Sequence, residues 1–227
     1  MSETVVTDGR VNRSARTRTA VVDALLSLIN AGNLRPTARE VADEAGVSLR
    51  SVYVHFDDVE SLFVAASARH FEHVQGLHLP CDPTAPLDQR IATLVESRLG
   101  IYTAGAQVRR AAMLQEPFSP ALGAAMEYGR RRGRAELDTV FAPELEEVAP
   151  AERHRLRAAL EVALSNSTWD TLTSSPDVPA DDVRALMGEL ARAALSAWGV
   201  AGSAAAPIPP AGGTTDERPP QTSAGPG

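Results

Sequence analysis

TAREVADEAGVSLRSVYVHF, residues 37–56, reads as two short helices joined by a tight turn. Thr37 with Glu40 three residues on is the pairing in which a hydroxyl and a carboxylate satisfy each other's free backbone N–H groups at a helix start. Pro36 disfavours helix running in from upstream. Val41, Ala42 and Ala45 form the inner face of this first helix. Gly46 stops it, because the turn that follows favours a left-handed residue. Ser48 then caps a second helix with Val52 and Phe56 at i, i+4 spacing. Ala42 and Gly46 lack bulk where the two helices would cross. The unit is a helix-turn-helix, its second helix short enough to lie in a DNA major groove. Two plain core helices would explain the caps and Val52, but not Leu49, Arg50 and Ser51 on the first turn of the second helix.

Charge supports the same reading. The chain carries a net −7, which is unfavourable for a DNA binder until it is divided by region. Residues 9–56 hold seven Arg against Asp23, Glu40, Asp43 and Glu44, so 7 − 4 = +3. Residues 57–227 hold 15 Arg against 23 acids, −8, and Glu3 with Asp8 supply the remaining −2. Positive charge surrounds the motif, where phosphate contact requires it, and the acidic remainder would turn the N-terminal face toward DNA. Arg16 and Arg18, with Arg10 and Arg13, form a basic arm for backbone phosphate; a merely solvated charge run is the bland alternative.

All 22 basic residues are Arg. Schiff-base chemistry and the P-loop lysine are thereby excluded. Aromatic residues make up 4% and Ala is abundant, which favours helices over strands. A single cysteine, Cys81, rules out an intrachain disulfide and fits a reducing cytoplasm. No apolar run is long enough to cross a bilayer, and the N-terminus does not read as a signal peptide.

The motif residues Gly46-Val47-Ser48, then Tyr53, then His55-Phe56 resemble the signature of the TetR/AcrR family of bacterial transcriptional repressors. The likeness extends upstream to the preceding helix and downstream to Leu62 and Phe63. It implies an all-α protein: an N-terminal three-helix DNA-binding domain and a larger C-terminal helical domain for ligand binding and dimerisation. It also implies base-edge contacts from Leu49, Arg50 and Ser51, with Arg39 reaching in from the preceding helix. Thr37, Tyr53 and His55 would hold phosphates, and Ser48 belongs to the same contact surface. Many relatives carry Lys where this chain has Val59, so either another group, such as Arg50 or the N-terminal arginines, makes that phosphate contact or the affinity is lower.

Outward from the motif, residues 1–12 are expected to be disordered and 13–58 to form the DNA-binding domain, whose first helix covers about 18–31. A connecting helix over 59–77 leads into a helical domain spanning 59–200, with a Pro-rich linker at 79–86. Further helices are expected at about 87–102, 107–115, 120–141, 151–172 and 180–198. The arginines at 130–132 and Arg134 read as a solvated face or as partners of Glu144, Glu146 and Glu147. The tail, 201–227, holds 11 Gly or Pro among 27 residues and should be disordered.

Together these features predict a dimeric regulator, a repressor by the family's commoner habit. It would bind a near-palindromic double-stranded operator and be released by a small-molecule effector of undetermined identity. The resemblance implies that the last two helices form a four-helix bundle across the dimer axis, although intrachain core packing would produce the same stripes. Tyr102, Met113, Asn166 and Trp169 are candidate effector contacts, although such residues at helical spacing also serve as plain core. No catalytic residue, cofactor or metal is assigned, since His-Glu-x-x-His, Gly-rich phosphate loops and Gly-x-Ser-x-Gly are all missing. The alternatives are an all-helical enzyme or ligand-binding protein retaining the N-terminal fold, a dimeric scaffold, or a metal-sensing regulator using His70, His73, His78 and Cys81.

Overall fold

The structure, a computed structural model, describes residues 3–200, the first eight of these by backbone alone. Among the described residues ten α-helices occur in order: α1 Glu3–Asn30, α2 Ala38–Glu44, α3 Leu49–His55, α4 Val59–Gln75, α5 Leu87–Gln115, α6 Pro120–Val140, α7 Ala142–Glu147, α8 Arg153–Ala163, α9 Asn166–Ser174 and α10 Asp182–Ala197. A single 3-10 turn, Glu116–Phe118, joins α5 to α6. No strand occurs among the described residues. The all-α expectation therefore holds, with two cores that share one helix.

The first core is assembled by local chemistry. The Glu40 amide donates to Thr37 Oγ1 at 3.3 Å and the Thr37 amide to Glu40 Oε2 at 2.7 Å, so both orphan N–H groups at the start of α2 are satisfied. Gly46 adopts φ +66°, the left-handed turn the sequence requires. Ser48 Oγ accepts from the Ser51 amide at 3.1 Å to start α3. Asp58 Oδ1 does the same for Ser61 at 2.7 Å to start α4. Val21, Leu25 and Ile29 of α1 then close over Val41, Val52, Phe56, Leu62 and Phe63.

Val108 and Ala111, near the far end of α5, belong to this first core. Ile91, Leu94 and Val95, near its start, belong to the second, with Phe141, Leu156, Leu160, Leu164, Met187 and Leu195. Helix α5 has 29 residues, roughly 43 Å at 1.5 Å per residue. One rigid rod thus joins both cores.

Several expected elements differ. Helix α1 begins at Glu3 instead of near residue 18, so helical backbone runs through 3–12, where disorder was expected; the disordered tail expected at 201–227 lies outside the described residues. The helices expected at 87–102 and 107–115 are one. Gly105 does not interrupt it because the His70 ring of α4 crosses there, and a Cβ at Gly105 would stand 2.9 Å from His70 Nε2. Conversely, the helix expected over 151–172 breaks after Leu164. Ser165 caps a new helix by accepting from the Thr168 amide at 3.0 Å. The freed Leu164 carbonyl accepts from Arg98 Nη1 and from the Tyr102 hydroxyl, both at 2.7 Å. Helix α7 was not expected, and α4 stops at Gln75, leaving Leu77 exposed. Arg130 and Arg134 do form ion pairs, but with Glu116, Glu127 and Glu161. Glu144 is instead the buried partner of Arg90.

Candidate nucleic-acid interface

The capped pair α2–α3 presents one outward face. Arg39 and Arg50 are exposed on it, while Leu49 and Ser51 are half-buried. Leu49 leans on the first core, and the Ser51 hydroxyl lies 2.8 Å from that of Ser48. Of the three residues expected at base edges, Arg50 is therefore the one that stands clear. Tyr53 is exposed near it and His55 is half-buried at the last turn. Val54 is 70% exposed and one turn beyond Arg50 on the same side of α3. It was not among the expected contacts; its position off the Val52–Phe56 stripe was the available signal. An exposed valine there suits contact with a thymine methyl group.

Thr37 is exposed, yet its hydroxyl donates to Glu40 Oε2 at 2.7 Å. Hydrogen bonds from the Thr37 backbone and hydroxyl hold the Glu40 carboxyl below its ordinary pKa. Its hydroxyl proton is thus committed to the cap, and the backbone it fixes is its firmer contribution. The Arg18 guanidinium lies 4.9 Å from the centroid of the Phe56 ring, a cation–π contact that ties α1 to the end of α3. Arg16 is exposed a half-turn earlier. Val59 is half-buried against the first core.

The arginines of the two ends of the molecule are paired to different extents. Arg13, Arg16, Arg18, Arg35, Arg39 and Arg50 are all exposed, and none has a carboxylate within 4 Å among the described residues. In the C-terminal part Arg90, Arg98, Arg110, Arg130, Arg134, Arg155, Arg157, Arg184 and Arg192 each meet one, while Arg109, Arg131, Arg132 and Arg153 do not among the described residues. Unneutralised cations around α2 and α3 are what a phosphate backbone requires.

The candidate effector residues divide. Tyr102 on α5 and Trp169 on α9 bring their rings to 6.1 Å, and burial pushes the Tyr102 phenol up. Asn166 is only 4% exposed, with Nδ2 unpartnered. Met113 is 49% exposed and does not join this buried group. The histidines and the cysteine do not converge. His78 Nδ1 lies 3.2 Å from Glu136 Oε1, and the Cys81 thiol faces the Arg90 carbonyl at 3.8 Å. Among the described residues no three His, Cys, Asp or Glu side chains are grouped to hold a metal ion. No described helix is long and apolar enough to cross a membrane.

Helices α8, α9 and α10 line an open apolar groove of Ala158, Ala159, Val162, Ala163, Thr168 and Leu190. Val162 is 67% exposed there and Leu190 42%.

No family model matches the sequence, and no curated protein matches it significantly. Solved structures do match the fold. A transcriptional regulator from Rhodococcus sp. Rha1 superposes with a TM-score of 0.62 at 18% identity, over 81% of this chain and 96% of that one. A TetR transcription regulator from Haloarcula marismortui gives 0.53 at 17% identity, over 81% and 98%. At these identities the likeness is one of fold.

Proposed function

We propose that this chain is a TetR-like transcriptional regulator, a repressor that binds a near-palindromic operator as a homodimer and leaves it when an effector occupies the C-terminal domain. The observation that carries the reading is the set of unpaired, exposed arginines around α2 and α3, with Arg50 outward on the capped second helix. The fold shared with solved regulators supports it.

Arg50 supplies a planar fork able to bond guanine O6 and N7 together, and Val54 an apolar contact beside it. Arg39 reaches toward the base edges from α2, and Arg16, Arg18, Arg35, Tyr53 and His55 set register on phosphates. One seven-residue helix reads few base pairs. Discrimination therefore needs two half-sites about 34–36 Å apart, or a multiple, and a twofold partner. The α8–α10 groove, with small residues flanking Val162 and Leu190, fits the dimer face. Signal transmission would run along α5. A ligand that displaces its second-core end tilts its first-core end, to the extent that the ligand distinguishes the two conformations. The reading requires no covalent chemistry and places the protein in the cytoplasm.

The test is binding to a duplex carrying the chain's own upstream region, titrated with salt. Affinity that falls steeply with salt and survives competitor DNA supports the reading. Equal binding to any duplex, or none, refutes it.

A further inference from the structure

Arg109 is anomalous. Among the described arginines that are not fully exposed, it alone makes no hydrogen bond and no ion pair. Its Nε is buried and unpartnered. Burial lowers the pKa of its guanidinium, and the nearby Tyr102, Asp170 and Glu116 do not offset it. A cation held this way is destabilising unless something pairs with it.

The neighbouring carboxylates are already committed. Asp170 pairs with Arg110 at 3.1 Å, and Glu116 pairs with Arg130 at 2.9 Å. Arg130 also meets Glu127, so Arg109 is the guanidinium at this place that has no carboxylate within 4 Å. It lies two helical turns beyond Tyr102 on the same face of α5, and that face meets α9 through the Tyr102–Trp169 ring contact. Asn166 precedes Trp169 by three residues on the same side of α9. Its buried Nδ2 is the second orphaned donor of this seam.

We propose that Arg109 is the anchoring cation for a small organic acid, whose carboxylate takes one oxygen to Arg109 and the other to Asn166, and whose flat apolar body lies against Tyr102 and Trp169. Two unpaired N–H donors suit the two oxygens of one carboxylate, and an aromatic wall suits a flat body better than an inorganic anion. The inference rests on the reading that the C-terminal domain takes an effector, and it specifies that effector's chemical class.

The test uses the full chain, Arg109→Met, which keeps the apolar stem, and Arg110→Gln as a neighbouring control. Acetate, benzoate, 1-naphthoate and octanoate are titrated by calorimetry and by tryptophan fluorescence, with benzamide as the uncharged analogue. The expected result is saturable binding of at least one aromatic acid, no binding of benzamide, and loss of at least tenfold in affinity in Arg109→Met but not in Arg110→Gln. Without ligand, Arg109→Met should melt no lower than the parent protein, because no partner is lost. Absence of binding by all four acids, undiminished binding in Arg109→Met, or a lower melting temperature of that variant without ligand overturns the proposal. Operator binding is measured on the same preparations. Intact DNA binding with no acid bound refutes only this inference, whereas acid binding without DNA binding refutes only the regulator reading.

Discussion

Removal of the Glu60 side chain should loosen the junction between the two cores by an amount that a double-mutant cycle can isolate. Ser119 is buried at the start of α6, and its hydroxyl has two tasks. It donates to Glu60 Oε1 at 2.6 Å, which links α4 to α6. It also accepts from the Leu122 amide at 3.1 Å, which caps α6. A hydrogen bond to a charged group contributes about 1.5–3 kcal/mol; because the Glu60 residue is exposed, about 1 kcal/mol is the appropriate figure. Glu60 also lies in the first turn of α4, where a carboxylate contributes roughly 0.3–1 kcal/mol through the helix dipole. Glu60→Ala should therefore cost about 1.5 kcal/mol. Ser119→Ala loses the link and the cap, about 2 kcal/mol together. If the link is real, the double variant falls short of the sum by about 1 kcal/mol. Urea denaturation monitored by circular dichroism supplies the four free energies. Strict additivity would refute the link, and a penalty confined to Ser119→Ala would leave only the cap.

Three further outcomes follow from particular contacts. Arg90 and Glu144 are both buried and joined side by side, with Nη1 donating to Oε2 at 2.9 Å; the Glu144 hydrogen bond raises the Arg90 pKa. Glu144→Ala should cost about 3–5 kcal/mol because it strands the guanidinium, whereas Arg90→Met with Glu144→Leu should be milder in the same urea titration. Burial foremost, and then His73, lowers the pKa of His70. Unfolded His70 protonates near the ordinary value of about 6.5 and folded His70 only below it. Stability is thus full above that value and declines as pH falls past it. His70→Gln should flatten that decline in urea midpoints between about pH 7.5 and 5.5. Val162→Glu, placing a charge in the α8–α10 groove, should yield monomers by light scattering; an unchanged dimer would locate the interface elsewhere.

Much of the first core is legible because its determinants are local. Thr37 with Glu40, Gly46 and Ser48 lie within a dozen residues, and each decides a cap or a turn by itself. The stripes of α6 and α10 are legible for the same reason. The C-terminal breaks are not, because tertiary partners decide them. Ser165 could have sat within a continuous helix; the Leu164 carbonyl is free to leave the ladder because Arg98 and Tyr102, more than sixty residues earlier, donate to it. Gly105 lies between the two helices expected at 87–102 and 107–115, and it is the place where His70 crosses α5. Leu49 shows the same limit in the interface, since position on a helix does not reveal which neighbours draw a side chain inward. The orphaned state of Arg109 could not be read at all, since it depends on how Asp170 and Glu116 are already paired.

The most direct test of the central claim compares the parent protein with Arg50→Ala on a duplex selected from a random pool by the parent protein itself. The account predicts a selected sequence with dyad symmetry and a loss of about 1–3 kcal/mol in specific affinity for Arg50→Ala, with non-specific binding little changed. A selected sequence without symmetry, or equal affinity of the two proteins for it, would contradict the account.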